Sequence, residues 1–345
     1  MKLRCGTFNL YQFAEPPFCW YEPENVYTDD DWKEKRQWVK DQLTKMNCDV
    51  IGFQEVFSVN ALEDLTNEAG YKYFRTIEST KTDANNSLVY VSPVVAIASK
   101  FPIVKLEQVE IEESIIRTLP IENSFKFSRI PIKATISAEG IGTILVYVVH
   151  LKSKRPFLEV NEPNLLSEWD VKVMEAFQSR SMGNVASLLQ RGTEAAVLYR
   201  DISQNLYRSK EIPVILLGDL NDDENSIPME ALTNRAYINE IDGVPYSELP
   251  DTVKKLINSY RLYDSYNLTP NPLGLKRTPT HYYNGVGSVL DYIFVSNHLN
   301  LKNNQGIGQI ISLEVLDKHL KSDGIGNHKQ SDHAQVVATV DFHNG

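Results

Sequence analysis

The chain has 345 residues, with 35 Lys and Arg against 45 Asp and Glu, a formal net charge of −10, 42% hydrophobic residues, 17 Gly, 16 Pro and 3 Cys. These proportions belong to a packed globular protein and exclude disordered, collagen-like and coiled-coil chains. Cys5, Cys19 and Cys48 are too few for a disulfide framework and have no zinc-like spacing, so each is read as a buried thiol.

The negative balance argues against broad adhesion to polyanions, which normally uses a basic face to displace counterions. A phosphate substrate remains compatible with it if a metal cation supplies the missing positive charge. No apolar stretch reaches the 18 or more residues of a membrane span, and MKLRCGTFNL lacks the apolar run and cleavage site of a secretory signal. The expectation is a cytoplasmic protein as written, or a secreted one whose signal has been removed.

In chain order, Lys2 to Leu10 reads as a strand stopped by the Tyr11-to-Pro17 segment, which places Asn9 at a strand end. Trp32, Val39, Leu43 and Met46 recur at helical spacing from Asp30 to about Asn47. The apolar run Asp49 to Phe57 suits a buried strand with Glu55 at its exit. A short helix follows, with Ser58 as N-cap and Gly70 as the terminating residue. Ser87 to Ile103, Phe125 to Ser137 and Gly142 to Leu151 are rich in β-branched and aromatic residues and read as strands. Leu166 to Leu206 carries a helical apolar pattern, one long helix or two shorter ones, within an elaboration at about 152–212. Pro213 to Gly218 is a further strand opening into Asp219-Leu-Asn-Asp-Asp, and Gly287 to Ser296 is another; a loop rich in Gly and Asn then leads to a strand at Ser331 to Val340. No repeat or linker interrupts the chain, so residues 1–345 are read as one domain.

Polar groups able to bind metal or phosphate therefore fall at six strand-end positions: Asn9, Glu55, His150, Asp219 with Asn221, Asp291, and Asp332 with His333. Ligands gather at strand ends in α/β sheets. Each has a structural reading alone, as a turn-former, a return to solvent or an edge histidine. Asp291 is the least easily dismissed, because a carboxylate in the apolar run Val-Leu-Asp-Tyr-Ile-Phe-Val is costly to bury without a partner.

In order along the chain, Thr7-Phe-Asn-Leu, Asp49-Val-Ile-Gly-Phe-Gln-Glu-Val, Val95-Ala-Ile-Ala-Ser-Lys-Phe-Pro-Ile, Val149-His-Leu-Lys-Ser-Lys, Leu217-Gly-Asp-Leu-Asn-Asp, Leu290-Asp-Tyr-Ile-Phe-Val-Ser and Ser331-Asp-His resemble the motifs of the endonuclease/exonuclease/phosphatase superfamily, the DNase I-like proteins. The resemblance implies a four-layer α-β-β-α sandwich in which two mainly antiparallel sheets pack face to face. It implies divalent-metal-dependent hydrolysis of phosphoester bonds, most nearly by a nuclease-like phosphodiesterase. Glu55 would be the principal metal ligand, with Asn9 and Asp332 beside it, and the oxygen-rich set suits Mg²⁺ or Mn²⁺, with Ca²⁺ left open. Asp219 would orient or deprotonate the attacking water and Asn221 would donate to a phosphate oxygen. His333, held by Asp291, and His150 would act on the phosphate, with the choice of general base between Asp219 and the Asp291/His333 pair left open. Lys152 and Lys154 read as a local phosphate grip, and Arg129 resembles an arginine that some nuclease-like members place near the site. His281 reads as structural.

The His-Leu pattern at His150 departs from the abasic-site repair branch, and Val-Leu-Asp-Tyr-Ile departs from the inositol polyphosphate 5-phosphatases. Nucleic acid is favoured over lipid as the substrate. A sphingomyelinase-like or other small-molecule phosphodiesterase or phosphatase is the alternative, and a non-catalytic binding member is the third reading. The motifs specify phosphate and metal and leave the rest of the substrate, and the oligomeric state, open.

Overall fold

The structure is a computed structural model that describes residues 1–112, 117, 125–157, 168–269, 276–303, 306–321 and 327–343. Twelve strands build two six-stranded sheets. They are β1 (Lys2–Phe13), β2 (Val50–Val56), β3 (Tyr73–Arg75), β4 (Val94–Ser99), β5 (Ile103–Gln108), β6 (Ile132–Ala138), β7 (Gly142–His150), β8 (Val214–Asp219), β9 (Leu262–Asp264), β10 (Asp291–Ser296), β11 (Gly308–Leu316) and β12 (Gln335–Phe342). One sheet runs β11-β12-β1-β2-β4-β3 and the other β9-β10-β8-β7-β6-β5. Each has a single parallel pair, β1 with β2 and β7 with β8, and is otherwise antiparallel.

Strand alternation makes the layers. Leu3, Cys5, Val50, Val336 and Ala338 of the first sheet meet Val146, Val148, Ile215, Leu217, Ile293 and Val295 of the second in a shared core. The approach is close enough that a Cβ on Gly52 would stand 2.8 Å from Val148 Cγ1. The outer face of the first sheet packs Phe8, Leu10, Ile51 and Phe53 against helices α1 (Asp29–Met46) and α2 (Val59–Glu68). That of the second packs Tyr147, Val149 and Leu216 against α3 (Trp169–Arg208) and α4 (Ile227–Thr233). The expected four-layer sandwich is thereby present.

Local chemistry explains the helix boundaries. Thr28 caps α1 by accepting from the Asp31 amide, Asp29 to Asp31 complement the N-terminal dipole, and Asn47 closes the helix in the left-handed region. Gly70, at φ +92°, follows α2 as expected, whereas the Ser58 hydroxyl accepts from the Glu15 amide at 2.7 Å rather than capping α2. The three cysteines are buried and free.

Four expectations are corrected. The strand β1 does not stop at Leu10: Tyr11 and Gln12 take positive φ and the chain bends, reaching Phe13 before the prolines. The strand expected from Phe125 begins only at Ile132, the start of β6; of the two readings of the long helical region the single helix is the one that forms, 40 residues long, and of its expected start the residues before 168 lie outside the described residues. The run expected as a single strand from Gly287 splits into Val286–Ser288 and Asp291–Ser296. The presumed loop before Ser331 contains β11, whose alternation Ile310, Ser312, Leu313 is interrupted by a register shift that obscures its period; residues 322–326 of that loop lie outside the described residues.

Candidate active site

The parity that sends Leu3, Cys5, Val148, Leu217 and Ile293 into the inter-sheet core sends Asn9, His150, Asp219 and Asp291 to the same side at one rim. There Asn9 Nδ2 donates to Asp219 Oδ2 at 3.0 Å across the sheets. His150 Nε2 lies 3.5 Å and His333 Nε2 3.8 Å from the same oxygen. The other ring nitrogen of His333 bonds to Asp291 Oδ2 at 2.8 Å. The Thr280 hydroxyl accepts from the Leu290 and Asp291 amides, fixing the start of β10.

Glu55 reaches the rim through backbone distortion. It has φ +58°, where a β-bulge shifts the register of β2 against both β1 and β4. Its carboxylate accepts from the Gln12 amide at 2.9 Å, so the bend in β1 and the bulge in β2 hold one another. Asp332 Oδ2 lies 3.9 Å from His281 Nε2, and its Oδ1 is buried with no hydrogen-bond partner among the described residues. His281 also lies against His333, with ring centroids 4.9 Å apart and the planes tilted by 43°, so it belongs to this cluster and is not merely structural.

Electrostatics separates the titrating groups. Burial pushes Asp219 up to about 7, Asp291 adds to the rise, and His333, the Asn221 amide and Asn9 oppose it. Burial, aided by Arg129, His333 and Lys152, holds His150 well below the usual imidazole range and therefore neutral. Burial would lower His333 too, but Asp291, Asp219 and Asp332 together outweigh it and hold the ring well above its ordinary value, as imidazolium. Burial raises Asp332, opposed by His333 and reinforced by Glu55. Glu55 and Asp332 are thus neighbouring carboxylates whose repulsion a divalent cation would relieve, and the orphaned Asp332 oxygen fits such an ion. Asp332 also forms a compact group with His281 and His333, and Asp219 and Asp291 another with His333, but His333 as imidazolium offers no lone pair to a metal in either.

Asn221, at φ +53°, donates its main-chain amide to Asp219 Oδ1 at 2.9 Å and its side-chain amide to the Leu151 carbonyl at 3.0 Å. Arg129 donates to the same carbonyl at 3.3 Å, and its charge works against the rise that burial gives the Tyr21 hydroxyl. Lys152 folds onto its own loop, donating to Ser153 and to the Arg155 carbonyl. The Lys154 ammonium is taken by Asp223 and Asp222.

Three supports were not anticipated. The buried Lys35 of α1 donates to the carbonyls of Tyr11, His328 and Gln330 at 2.7, 2.9 and 3.0 Å, joining the bend of β1 to the segment before Asp332. Burial pushes this amine down to about 7 against the pull of Asp332 and Glu55, but three carbonyls engage every proton of an ammonium. Glu194 of α3 accepts from the Ser128 and Lys152 amides, each at 2.7 Å, and so holds the chain beside Arg129 and Lys152. Arg191 bonds Asp222 Oδ2 and the Lys152 carbonyl. The available signal was a Glu and an Arg placed on the buried stripe of a helix otherwise made by Ala195, Leu198 and Ile202.

Two sheets enclosing a rim of carboxylate, amide and imidazole groups define a class of phosphoester hydrolases, and the model of the Endonuclease/Exonuclease/phosphatase family matches residues 6–333. The chain belongs to that family. Among solved structures it is similar to the human Nocturnin catalytic domain with bound sulfate, at 16% identity and TM-score 0.56, covering 99% of this chain and 95% of that one. It is also similar to a family protein from Bacteroides thetaiotaomicron, at 18% identity and TM-score 0.54, covering 100% and 98%, and to humanized D. rerio TDP2, at 12% and 0.54, covering 99% of each. These likenesses concern the fold. No curated protein matches the sequence. Among the described residues no helix is long and apolar enough to cross a membrane.

Proposed function

We propose that this chain is a divalent-metal-dependent phosphodiesterase of the nuclease-like kind. The observation that carries the reading is Asp219, held between Asn9, Asn221, His150 and His333 next to the Glu55/Asp332 carboxylate pair. Glu55 and Asp332, with Asn9 beside them, would hold Mg²⁺ or Mn²⁺, because an all-oxygen donor set suits hard cations. When bound, such an ion supplies positive charge to the phosphate oxygens and leaving group.

The remaining chemistry belongs to the chain. Asp219, fixed on both oxygens, orients the attacking water and takes its proton. His333, kept cationic by Asp291, and the neutral His150 donate hydrogen bonds to the phosphoryl oxygens as negative charge accumulates. Asn221 adds a side-chain donor, and Arg129 with Lys152 supplies local positive charge for a flanking phosphate. Lys154, engaged by Asp222 and Asp223, would have to exchange partners to reach substrate.

Nucleic acid is favoured over lipid because the aromatic loop before α1 is packed. Phe18 stacks on Tyr90 and Trp20 is buried against Tyr27, which leaves Tyr21 and Val26 partly exposed and no apolar finger for a bilayer in this loop. A panel of plasmid DNA, single-stranded DNA, RNA, sphingomyelin and inositol phosphates, each with Mg²⁺, tests the assignment. Nicked or shortened nucleic acid supports it; head-group release from sphingomyelin with intact nucleic acids refutes it.

A further inference from the structure

The long helix α3 has two unlike halves. Its C-terminal half buries Ala195, Val197, Leu198, Ile202 and Leu206 on the second sheet. Its N-terminal half touches the body along one narrow line. Gly183 backs onto Phe157, whose amide donates to the Gly183 carbonyl, and the Ser187 hydroxyl donates to the Arg155 carbonyl. Most of the rest of that half meets none of the described residues: Trp169 is 78%, Phe177 71% and Met182 72% exposed, and Met174, Val185, Leu188 and Leu189 are exposed as well.

Within this surface Met174, Phe177, Ser181, Val185 and Leu188 are spaced 3, 4, 4 and 3 residues apart, an order that reads the same from either end. At 3.6 residues per turn they fall within an arc of about 80°, turned roughly 140° from the Gly183–Ser187 line. No described element packs on the stripe.

We infer that this face of α3 pairs two copies of the chain, antiparallel about a two-fold axis at Ser181. A two-fold contact requires a self-complementary surface, in which residue i meets j and j meets i. The palindromic spacing supplies it, setting Met174 of one copy against Leu188 of the other and Phe177 against Val185. The small Ser181 at the crossing lets the helices approach to the ~8–10 Å of packed pairs. Phe177, 71% exposed, leaves most of the roughly 150–250 Å² that an aromatic offers in water; Trp169 falls about 120° from the stripe and adds nothing to it. With Val173, Met174, Met182, Val185, Leu188 and Leu189, each 40–72% exposed on the same side of the helix, the apolar surface is on the order of several hundred Å², at the upper end of the ~300–600 Å² of the largest patch on an ordinary monomer and of the same order as the ~800 Å² each partner gives to a standard interface. Charge opposes a lipid occupant. Asp170 and Glu175 balance Lys172 and Arg180, so the helix lacks the basic face of a membrane-surface helix, and the chain carries −10. The pairing is independent of the reaction assigned above.

Light scattering coupled to gel filtration tests it on the full chain at micromolar concentration. Wild type should show twice the monomer mass of 39.3 kDa. The Phe177→Glu/Val185→Glu double variant should return to the monomer mass with unchanged thermal melting and hydrolysis. As a second arm, Ser181→Cys should yield a reducible dimer on oxidation, against the background of three buried natural cysteines. A monomeric wild type, a dimer that survives the double variant, or a Ser181→Cys protein that fails to cross-link overturns the pairing. So does a monomer that sediments with phosphatidylcholine–phosphatidylserine vesicles and loses that binding in the double variant.

Discussion

Asn9 in one sheet donates its side-chain amide to Asp219 in the other at 3.0 Å, and both side chains are buried. The proposed reacting carboxylate is therefore oriented by the packing of the two sheets and not by its own loop alone. Asn9→Ala removes that donor and one oxygen of the proposed metal shell. Loss of a positioned polar group at a reacting centre costs ~10²–10³-fold in kcat. Steady-state kinetics at saturating metal should show that fall with KM little changed; a fall confined to KM would place Asn9 in substrate binding.

Asp219 has to be ionised to accept a proton. Burial raises it to about 7, so below that pH the carboxyl is protonated and inactive, and kcat/KM should climb as pH rises through neutrality. A bound divalent ion favours the carboxylate and shifts the limb downward, so the midpoint should fall as metal is increased. Asp219→Asn should abolish the limb and cost ~10²–10⁴-fold in rate, the range for a general base. A wild-type profile flat through neutrality at every metal concentration would contradict this role.

Lys35 lies 2.7 Å from the Tyr11 carbonyl and 3.0 Å from that of Gln330, and its ammonium joins β1 to the Ser331-Asp332-His333 segment alongside the Ser331 hydroxyl, which donates to the Asn9 carbonyl at 2.7 Å. Lys35→Met keeps the length and leaves three carbonyls without their donor, each a desolvated polar group costing on the order of 1–3 kcal/mol. Hydrogen exchange should speed up at residues 328–334 before the rest of the protein, and kcat should fall in the folded variant. An unchanged exchange pattern there would remove the connection.

Arg129 shares the Leu151 carbonyl with Asn221, and Glu194 holds the main chain beside it. Arg129→Ala should raise KM for a phosphodiester about tenfold, the loss of ~1.4 kcal/mol of binding, and largely spare kcat. The reverse split would make Arg129 part of the chemical step.

Much of this architecture was legible because it rests on short-range patterns. Buried runs such as Val-Ile-Leu-Leu-Gly and the Thr28-to-Asn47 helix carry their periods and caps in the residues themselves. The residues chosen at strand ends do converge, because alternation sends inward positions near the ends of β1, β7 and β8, and the first residue of the antiparallel β10, to one rim. What escaped depends on contacts distant in sequence. Lys35 reads as one more polar residue of an amphipathic helix until residues 293 and 295 positions away supply carbonyls for it. Glu194 is informative only once α3 is seen to lie over the 128 and 152 segments. His281 joins the cluster through an isolated bridge to His333, and the bend at Tyr11 and Gln12 exists only opposite the bulge at Glu55.

Glu55 carries the proposed metal site, and its removal should raise the metal requirement by more than the roughly 10–100-fold that loss of an outer-shell partner costs. The most direct measurement is hydrolysis of bis-p-nitrophenyl phosphate by wild type and Glu55→Ala across a Mg²⁺ and Mn²⁺ titration, with EDTA as the zero point. The account predicts turnover that collapses in EDTA, returns with added metal, and in Glu55→Ala returns only at much higher metal. Turnover that persists in EDTA, or a Glu55→Ala curve superimposable on wild type, would contradict it.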